Sequence, residues 1–110
     1  MGRLQNKVAL ITGAGSGFGE GIAKAFVKEG ANVIIADIAV EGGKRVEAEI
    51  EAAKSEGTGS AVFLEFDVTK KDAWDRGLEL AKTKYGKLDI VCNNAGTVRT
   101  LTRNRSTSID

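Results

Sequence analysis

Four short apolar runs divide the chain into alternating segments. They lie at about residues 7–12, 32–37, 61–66 and 88–92, and runs of this length are typical of strands that are buried on both faces. The segments between them repeat apolar residues three or four positions apart, which indicates helices with one buried stripe. Strands that alternate with helices in this way are joined by right-handed parallel crossovers. The pattern therefore predicts an α/β fold, a doubly wound parallel sheet of four strands in the spatial order 3-2-1-4, between layers formed by three helices.

The ends of the predicted helices carry recognisable signals. The first helix is expected over about residues 18–29, because Gly30 follows its apolar stripe as a stop signal. The third helix should begin with a capping pair formed by Thr69 and Asp72. Its apolar stripe is expected to consist of Trp74, Leu78, Ala81 and Tyr85.

A glycine-rich turn lies between the first apolar run and the first helix. It reads Thr12-Gly13-Ala14-Gly15-Ser16-Gly17-Phe18-Gly19. A turn of this kind that lies against a pyrophosphate has no room for side chains at several positions. Gly13 can provide the tight turn, Gly17 the close approach of backbone to phosphate, and Gly19 the contact between helix and strand. The helix N-terminus would then favour the anion through its unpaired N–H groups and its dipole.

An acidic residue ends the second apolar run. Asp37 lies where a carboxylate can accept hydrogen bonds from the ribose hydroxyls of an adenosine. Together with the glycine turn, it favours a dinucleotide site over the alternative, which is a flexible glycine linker with an unrelated surface aspartate.

With these motifs the sequence resembles the short-chain dehydrogenase/reductase family. The resemblance runs from about residue 4 to residue 96, and the spacing of three residues between the first two key glycines is a mark of that family. It rests on Thr12-Gly13-x-x-x-Gly17-x-Gly19, Asp37, Asp67-Val68 and Asn93-Asn94-Ala95-Gly96. The resemblance implies a three-layer Rossmann-type fold, here truncated to its first four strands and three helices.

The resemblance also assigns roles to the matching positions. The glycines would line the diphosphate, and Thr12 would brace the loop against the Asn93-Asn94 turn. Asp37 would hold the adenosine ribose, whereas Asp67 and Val68 would border the adenine. Two alternatives stay open: Asp67 could simply end a strand, and the asparagines could satisfy turn backbone. The cofactor-binding set implied in this way is Thr12, Gly13, Gly15, Ser16, Gly17, Phe18, Gly19, Asp37, Ile38, Asp67, Val68, Asn94, Ala95 and Gly96.

Charge favours NAD over NADP as the cofactor. Asp37 would repel the 2′-phosphate of NADP, and neither Ala14-Gly15-Ser16 nor Ile38 provides a lysine or arginine to neutralise one. We therefore expect NAD(H) as the partner, with a substrate that the sequence does not identify.

We expect no catalytic residue in these 110 residues. In the family that the sequence resembles, a tyrosine acts as acid and base, a lysine four residues later lowers its pKa, and a serine polarises the substrate oxygen. The only tyrosine is Tyr85, and Asp89 stands four residues after it. The resemblance implies an NAD(H)-dependent short-chain oxidoreductase for alcohols and carbonyls, here a truncated form that keeps only cofactor binding. The alternative is a non-catalytic NAD-binding or interaction module.

The last part of the chain differs in composition from the rest. Residues 97–110 contain three arginines, many hydroxyl side chains and little apolar periodicity. We expect them to form a disordered tail unlike the family, after a dinucleotide-binding half-domain at residues 1–96. The fourth strand would then be an open edge at which the chain could associate, and the oligomer interface typical of the family would be missing.

Composition excludes several other classes of protein. Histidine is absent, which removes the Ser/His and Cys/His hydrolases and the histidine metal sites, so we expect no metal. The net charge of +1 gives no reason for a nucleic-acid or anionic-membrane partner. No apolar run is long enough for a transmembrane helix or a signal peptide, and we expect a cytoplasmic protein. The single cysteine, Cys92, is expected in the core.

Overall fold

The parallel sheet at the centre of the molecule has the strand order that the sequence pattern predicts. The computed structural model describes residues 3–94 and 99–102, and its sheet runs β3-β2-β1-β4-β5, with β3, β2, β1 and β4 parallel. The elements are β1 (Val8–Thr12), α1 (Gly17–Lys28), β2 (Asn32–Asp37), α2 (Val40–Ala52), β3 (Ala61–Glu65), α3 (Lys71–Tyr85), β4 (Ile90–Asn93) and β5 (Arg99–Thr102). The predicted order 3-2-1-4 is thus confirmed. In the part of the chain that the structure describes, none of the helices has the length and apolar character needed to cross a membrane.

The central strand β1 is buried along its whole length. It lies between β2 and β4, so that Ile11 faces Ile35 on one side and Cys92 on the other. Both faces of the strand are covered, which explains why the run is continuously apolar rather than alternating. Cys92 is 4% exposed and has a free thiol, as expected of a core residue.

Two hydrophobic cores lie on opposite faces of the sheet. One lies under α1 and α2 and contains Ile11, Ile35 and Val46. The other lies under α3 and contains Leu10 and Phe66. Neighbouring residues of β1 therefore point to different cores, as the two-residue period of a strand requires. This arrangement confirms the predicted three layers.

The outer edge of β4 is paired, which corrects two expectations. Residues 99–102 form β5 antiparallel to β4, with Ile90 opposite Thr102 and Asn93 opposite Arg99. The sheet therefore has a fifth strand, β4 has no open edge, and these four residues are not part of a disordered tail. The backbone groups of β4 require partners, and the nearest segment contains threonines, which favour strands. Residues 97, 98 and 103–110 lie outside the described part of the chain.

Side chains of α2 cover the outer edge of β3. The N–H groups of Ala61 and Phe63 donate to the carboxylates of Glu51, at 3.2 Å, and Glu47, at 2.9 Å. An edge strand would otherwise present these donors without partners. The helix that follows β2 therefore satisfies backbone groups of the strand beside it.

The start of α3 differs from the predicted cap. The helix begins at Lys71, and no side chain caps it. Thr69 instead donates its backbone N–H and its hydroxyl to Asp67 Oδ1, at 2.9 and 2.7 Å. The predicted capping pair of Thr69 and Asp72 is therefore wrong, because the nearer aspartate competes successfully for the threonine.

The buried face of α3 agrees in part with the predicted stripe, because Ala81 is buried and Trp74 and Tyr85 pack against the core, but Leu78 does not belong to it. Its buried residues are the small ones, Ala73, Gly77 and Ala81, whereas Leu78 is 52% exposed. Small residues let the helix lie close to the sheet, and a Cβ on Gly77 would come within 2.7 Å of the Leu10 side chain. The larger apolar residues of the helix consequently lie at the margin of the contact.

Candidate cofactor-binding site

The described residues of the predicted site converge on one edge of the sheet. Thr12 ends β1, Asp37 ends β2 and Asn93 ends β4, and parallel strands bring these ends to the same edge. In open α/β sheets, ligands bind in the crevice outside the carboxyl ends of the strands. Ala95 and Gly96, which were also predicted to bind cofactor, lie outside the described residues.

Two glycines of the turn adopt backbone conformations that side chains disfavour. Gly13 has φ 66° and Gly17 has φ 56°, both in the left-handed region. The N–H of Gly13 donates to the carbonyl oxygen of Ala36 at 2.8 Å, which ties the turn to β2. A Cβ on Gly17 would meet no atom within 4 Å. The turn therefore exposes bare backbone directly before the first turn of α1.

Gly19 serves a different purpose from Gly17. A Cβ at this position would overlap the carbonyl oxygen of Gly13 and lie 2.8 Å from Asn94 Nδ2. Helix α1 thus touches the turn from which it emerges, and it also approaches the segment that follows β4. A side chain at residue 19 would push these three segments apart.

The N-terminus of α1 has no side-chain cap. Ser16 is the N-cap residue and is extended, but its side chain makes no capping hydrogen bond. The first N–H groups of an α-helix lack intrahelical acceptors, and the helix dipole is positive there. Phe18, in the same turn, is 70% exposed. The site thus combines free N–H donors with an exposed aromatic side chain.

Thr12 joins the turn to the end of β4. Its buried hydroxyl donates to Asn93 Oδ1 at 2.9 Å and accepts the N–H of Asn94, also at 2.9 Å. The contact that we expected between Thr12 and the Asn93-Asn94 turn is therefore present. It holds the two loops at the edge of the sheet in a fixed relation.

The carboxylate of Asp37 is part of the same framework. Oδ2 accepts the N–H of Gly15 and Oδ1 accepts the N–H of Ala39, each at 2.8 Å. A carboxylate oxygen has more than one acceptor site, so both oxygens retain capacity for further donors. Asp37 thus orients the glycine turn and still presents a negative charge at the edge of the sheet.

A hollow of about 170 Å³ lies beside Asp37. It is lined by Gly13, Asp37, Ile38, Phe66, Asp67 and Val68. The structure therefore brings five predicted site residues, all of the lining except Phe66, from three strand ends together around one space. Ile38 is 62% exposed, so one apolar wall of the hollow faces solvent.

Asp67 has a structural partner of its own. The hydroxyl and N–H of Thr69 donate to its carboxylate and hold the pKa of Asp67 below its usual range. Asp67 therefore closes the turn after β3, which ends at Glu65, so that Asp67 itself does not end a strand. Because Asp67 also lines the hollow, it can both close this turn and border an adenine.

The only tyrosine is far from this edge. Tyr85 ends α3, and its hydroxyl lies 3.4 Å from the hydroxyl of Ser60, immediately before the start of β3. The amino ends of the parallel strands lie there, opposite the site. Burial raises the pKa of Tyr85, which is the reverse of what a proton-transferring tyrosine requires. The structure thus supports the interpretation of Tyr85 as a structural residue.

Sequence reasoning missed a group of charged residues behind the turn. Glu20 and Lys24 of α1 form a ring of ion pairs with Arg45 and Glu49 of α2. The two pairs within a helix have the four-residue spacing that could have been recognised. The pairs between the helices depend on how α1 packs against α2, which periodicity does not reveal.

Comparison with known proteins identifies the family to which the chain belongs. The model of the short chain dehydrogenase family matches residues 7–109. The chain belongs to the short-chain dehydrogenase family. The match continues beyond residue 96, where the resemblance found from motifs ends.

Individual members of the short-chain dehydrogenase family are similar to this chain. The 2,5-dichloro-2,5-cyclohexadiene-1,4-diol dehydrogenase of Sphingobium indicum is 44% identical over 87% of this chain and 37% of its own length. The secoisolariciresinol dehydrogenase of Forsythia intermedia is 45% identical over 86% of this chain and 32% of its own. The structure of 3-ketoacyl-(acyl-carrier-protein) reductase from Brucella melitensis, complexed with NADH, matches with a TM-score of 0.69 and 46% identity, over 81% of this chain and 34% of that one. The chain thus spans roughly a third of the length of each of these relatives.

Proposed function

We propose that this chain binds NAD(H) at the carboxyl edge of its parallel sheet. It would form the cofactor-binding part of an oxidoreductase that transfers hydride between the nicotinamide and an alcohol or carbonyl carbon. The observation that carries the proposal is the junction of β1 and α1, where a glycine-rich turn leads into a helix N-terminus that has no side-chain cap. Membership of the family, and the NADH in the Brucella reductase, support it.

The diphosphate would lie over the glycine turn. The open space above Gly17 and the free N–H groups after Ser16 fit a bound anion. Gly13, Gly15 and Phe18 would border the same group. A side chain at residue 17 would both strain the backbone, because φ is positive, and occupy the space that the phosphate needs.

The adenosine would lie toward β2 and β3. The carboxylate of Asp37 would accept the ribose hydroxyls, and the hollow next to Ile38, Asp67 and Val68 would receive the adenine. The negative charge of Asp37 favours NAD over NADP. Arg45 is the cation that lies near Gly15, but it already pairs with Glu20 and Glu49. We therefore do not expect it to neutralise the 2′-phosphate of NADP.

The nicotinamide half would extend toward Asn94, Ala95 and Gly96. When bound, the nicotinamide would supply the position that accepts or delivers a hydride. The residues of this chain would hold and orient the cofactor, with Thr12 keeping the loops at the two ends of the site at a fixed spacing. A proton-transferring group would also be needed, and the location and raised pKa of Tyr85 argue against it in that role.

Titration of the 110-residue chain with NADH, followed by the fluorescence of the nicotinamide, tests the proposal. We expect saturable binding that Gly17→Val abolishes. Gly57→Val is the matched control, because Gly57 also has a positive φ, 88°, and open space around it, but lies in the loop between α2 and β3. Equal NADH binding by the Gly17→Val variant and the unmodified chain would contradict the proposal.

A second candidate function is cofactor binding without catalysis by this chain. It is favoured by the absence of a lysine four residues after the only tyrosine, where Asp89 stands. We expect the 110-residue chain to bind NADH and to oxidise no alcohol in the presence of NAD. Turnover at ordinary enzyme rates by a homogeneous preparation would refute this second function. For either function we also propose a cytoplasmic location and small molecules, not nucleic acid, as the partners.

A further inference from the structure

Gly15 is held from both sides of its backbone. Its N–H donates to Asp37 Oδ2 at 2.8 Å, and its carbonyl oxygen accepts a hydrogen bond from Arg45 Nη2 at 3.3 Å. A glycine has no side chain through which packing could fix its orientation, and it loses more conformational freedom on ordering than any other residue. The orientation of the turn at this point therefore depends on Asp37 and Arg45.

Arg45 is itself held by two carboxylates. Its guanidinium lies 2.8 Å from Glu20 and 3.1 Å from Glu49. Lys24 closes the ring at 2.7 Å from Glu20 and 2.6 Å from Glu49. The four charges balance, so Glu20, in the first turn of α1, presents no net negative charge to the helix N-terminus. An unpaired carboxylate at that place would repel a diphosphate.

Helix α2 comes close enough for this contact because Gly42, in its first turn, and Gly15 both lack side chains. A Cβ on Gly42 would lie 2.7 Å from the carbonyl oxygen of Gly15, and a Cβ on Gly15 would lie 3.0 Å from the backbone nitrogen of Gly43. The backbones of α2 and of the turn are thus almost in contact. Arg45, one turn of helix further on, can then reach back to the same carbonyl.

We propose that Arg45 is a positioning residue for the part of the site that holds the diphosphate, an inference that rests on the proposed function. It fixes the carbonyl of Gly15, and it neutralises Glu20 beside the N-terminus of α1. Both effects act on the diphosphate part of the cofactor. The adenosine part, which the hollow beside Ile38 would receive, is reached only indirectly, through the hydrogen bond between Gly15 and Asp37.

Two ligands distinguish the diphosphate part of the site from the adenosine part. The dissociation constant of each can be measured by displacement of NADH. ADP-ribose contains the diphosphate and a second ribose, and adenosine contains neither, so the ratio of their dissociation constants reports on the turn and the second ribose and not on the adenosine. For Arg45→Met we expect ADP-ribose binding to weaken about three- to tenfold, with adenosine binding within about twofold of that of the unmodified chain. A merely structural role would weaken both ligands together and leave the ratio unchanged.

Arg76→Met is the matched control, because Arg76 also donates to a backbone carbonyl, that of Glu65, at 3.4 Å, but lies on α3. If Arg45→Met does not fold, as judged by circular dichroism, Glu49→Gln weakens the hold on Arg45 and should change the same ratio about twofold. An unchanged ratio in the folded variants would overturn the inference while leaving the proposed function intact. An unmodified chain without saturable NADH binding would instead refute the proposed function, and this inference with it.

Discussion

Thr12 and Asn93 are 81 residues apart in the chain, and their side chains form a hydrogen bond of 2.9 Å at the edge of the sheet. Thr12 also accepts the N–H of Asn94, so one hydroxyl satisfies groups from two consecutive residues. This bridge sets the distance between the loop that we propose for the diphosphate and the loop that would approach the nicotinamide. Its removal should therefore affect stability and binding together.

Thr12→Val tests this relation. Valine has nearly the shape of threonine but no hydroxyl, so it leaves partly buried polar groups of Asn93 and Asn94 without their Thr12 partner. We expect a loss of about 1–3 kcal/mol in the free energy of unfolding, measured by urea titration, and weaker NADH binding. Thr12→Ser retains the hydroxyl and should keep NADH affinity within about twofold. Strong binding by the valine variant and weak binding by the serine variant would contradict this view of Thr12.

Gly19→Ala should destabilise the protein although alanine favours helices. Its Cβ would overlap the carbonyl oxygen of Gly13 and press against Asn94. Gly21→Ala in the same helix is the control, because a Cβ there meets nothing within 4 Å and should stabilise the helix by about 0.5–1 kcal/mol. Opposite changes in melting temperature are expected for the two variants. An equal increase in the melting temperature of both variants would show that the contact between α1 and the turn is not tight.

Asp37→Asn should change the choice of cofactor. The substitution preserves size and removes the charge, so NADH binding should weaken by about tenfold or more, while the bias against NADPH relaxes. Parallel fluorescence titrations with both nucleotides measure the two effects. Asp75→Asn is a suitable control, because Asp75 is an exposed residue of α3 whose partner is Lys71. Unchanged affinity for both nucleotides would show that Asp37 does not contact the ribose.

Glu20 should make the protein sensitive to acid. Hydrogen bonds from Arg45 and Lys24 lower the pKa of Glu20 from 4.5 to about 2. Because the folded state holds this carboxyl more acidic than the unfolded chain does, its contribution to stability is complete above about pH 4.5 and is lost as the pH falls toward about 2. Glu49 and Asp67, whose pKa values are also lowered, act in the same direction.

Urea unfolding at a series of pH values measures this dependence. The Glu20→Gln variant should show a smaller loss of stability across the acid range than the unmodified chain. The two proteins should differ in this loss of unfolding free energy by no more than about 1 kcal/mol for each ion pair, because the ring of ion pairs is partly exposed to solvent. Identical profiles for the two proteins would mean that Glu20 has no stabilising partner in solution.

Much of the fold follows from local patterns in the sequence. The four apolar runs correspond to β1 to β4, and the predicted bounds of β2 agree with Asn32–Asp37 without any shift. These strands are buried on both faces, so their composition alone distinguishes them from their surroundings. The glycine turn could also be recognised, because its spacing reflects the backbone conformations that only glycine adopts easily.

Features that depend on contacts between distant segments could not be predicted in this way. Thr69 matched a capping motif, but Asp67 two residues earlier is its partner. The burial of Gly77 in place of Leu78 depends on how close α3 comes to the sheet. The sequence pattern predicts no role for Arg45, because its contact with Gly15 depends on how α2 packs beside the turn.

The two glutamates of α2 at the outer edge of β3 also bear on how the protein behaves at high concentration. A strand of another molecule could pair with β3 only by displacing Glu47 and Glu51 from the N–H groups of Phe63 and Ala61. It would then have to bury two carboxylates or move them aside, at a cost in free energy that an ordinary edge strand does not impose. At the opposite side of the sheet, β5 already occupies the hydrogen-bonding edge of β4. Growth of the sheet from one molecule into the next is therefore opposed by charge at its β3 edge, whereas at the other edge an added strand would pair with β5 and not with β4.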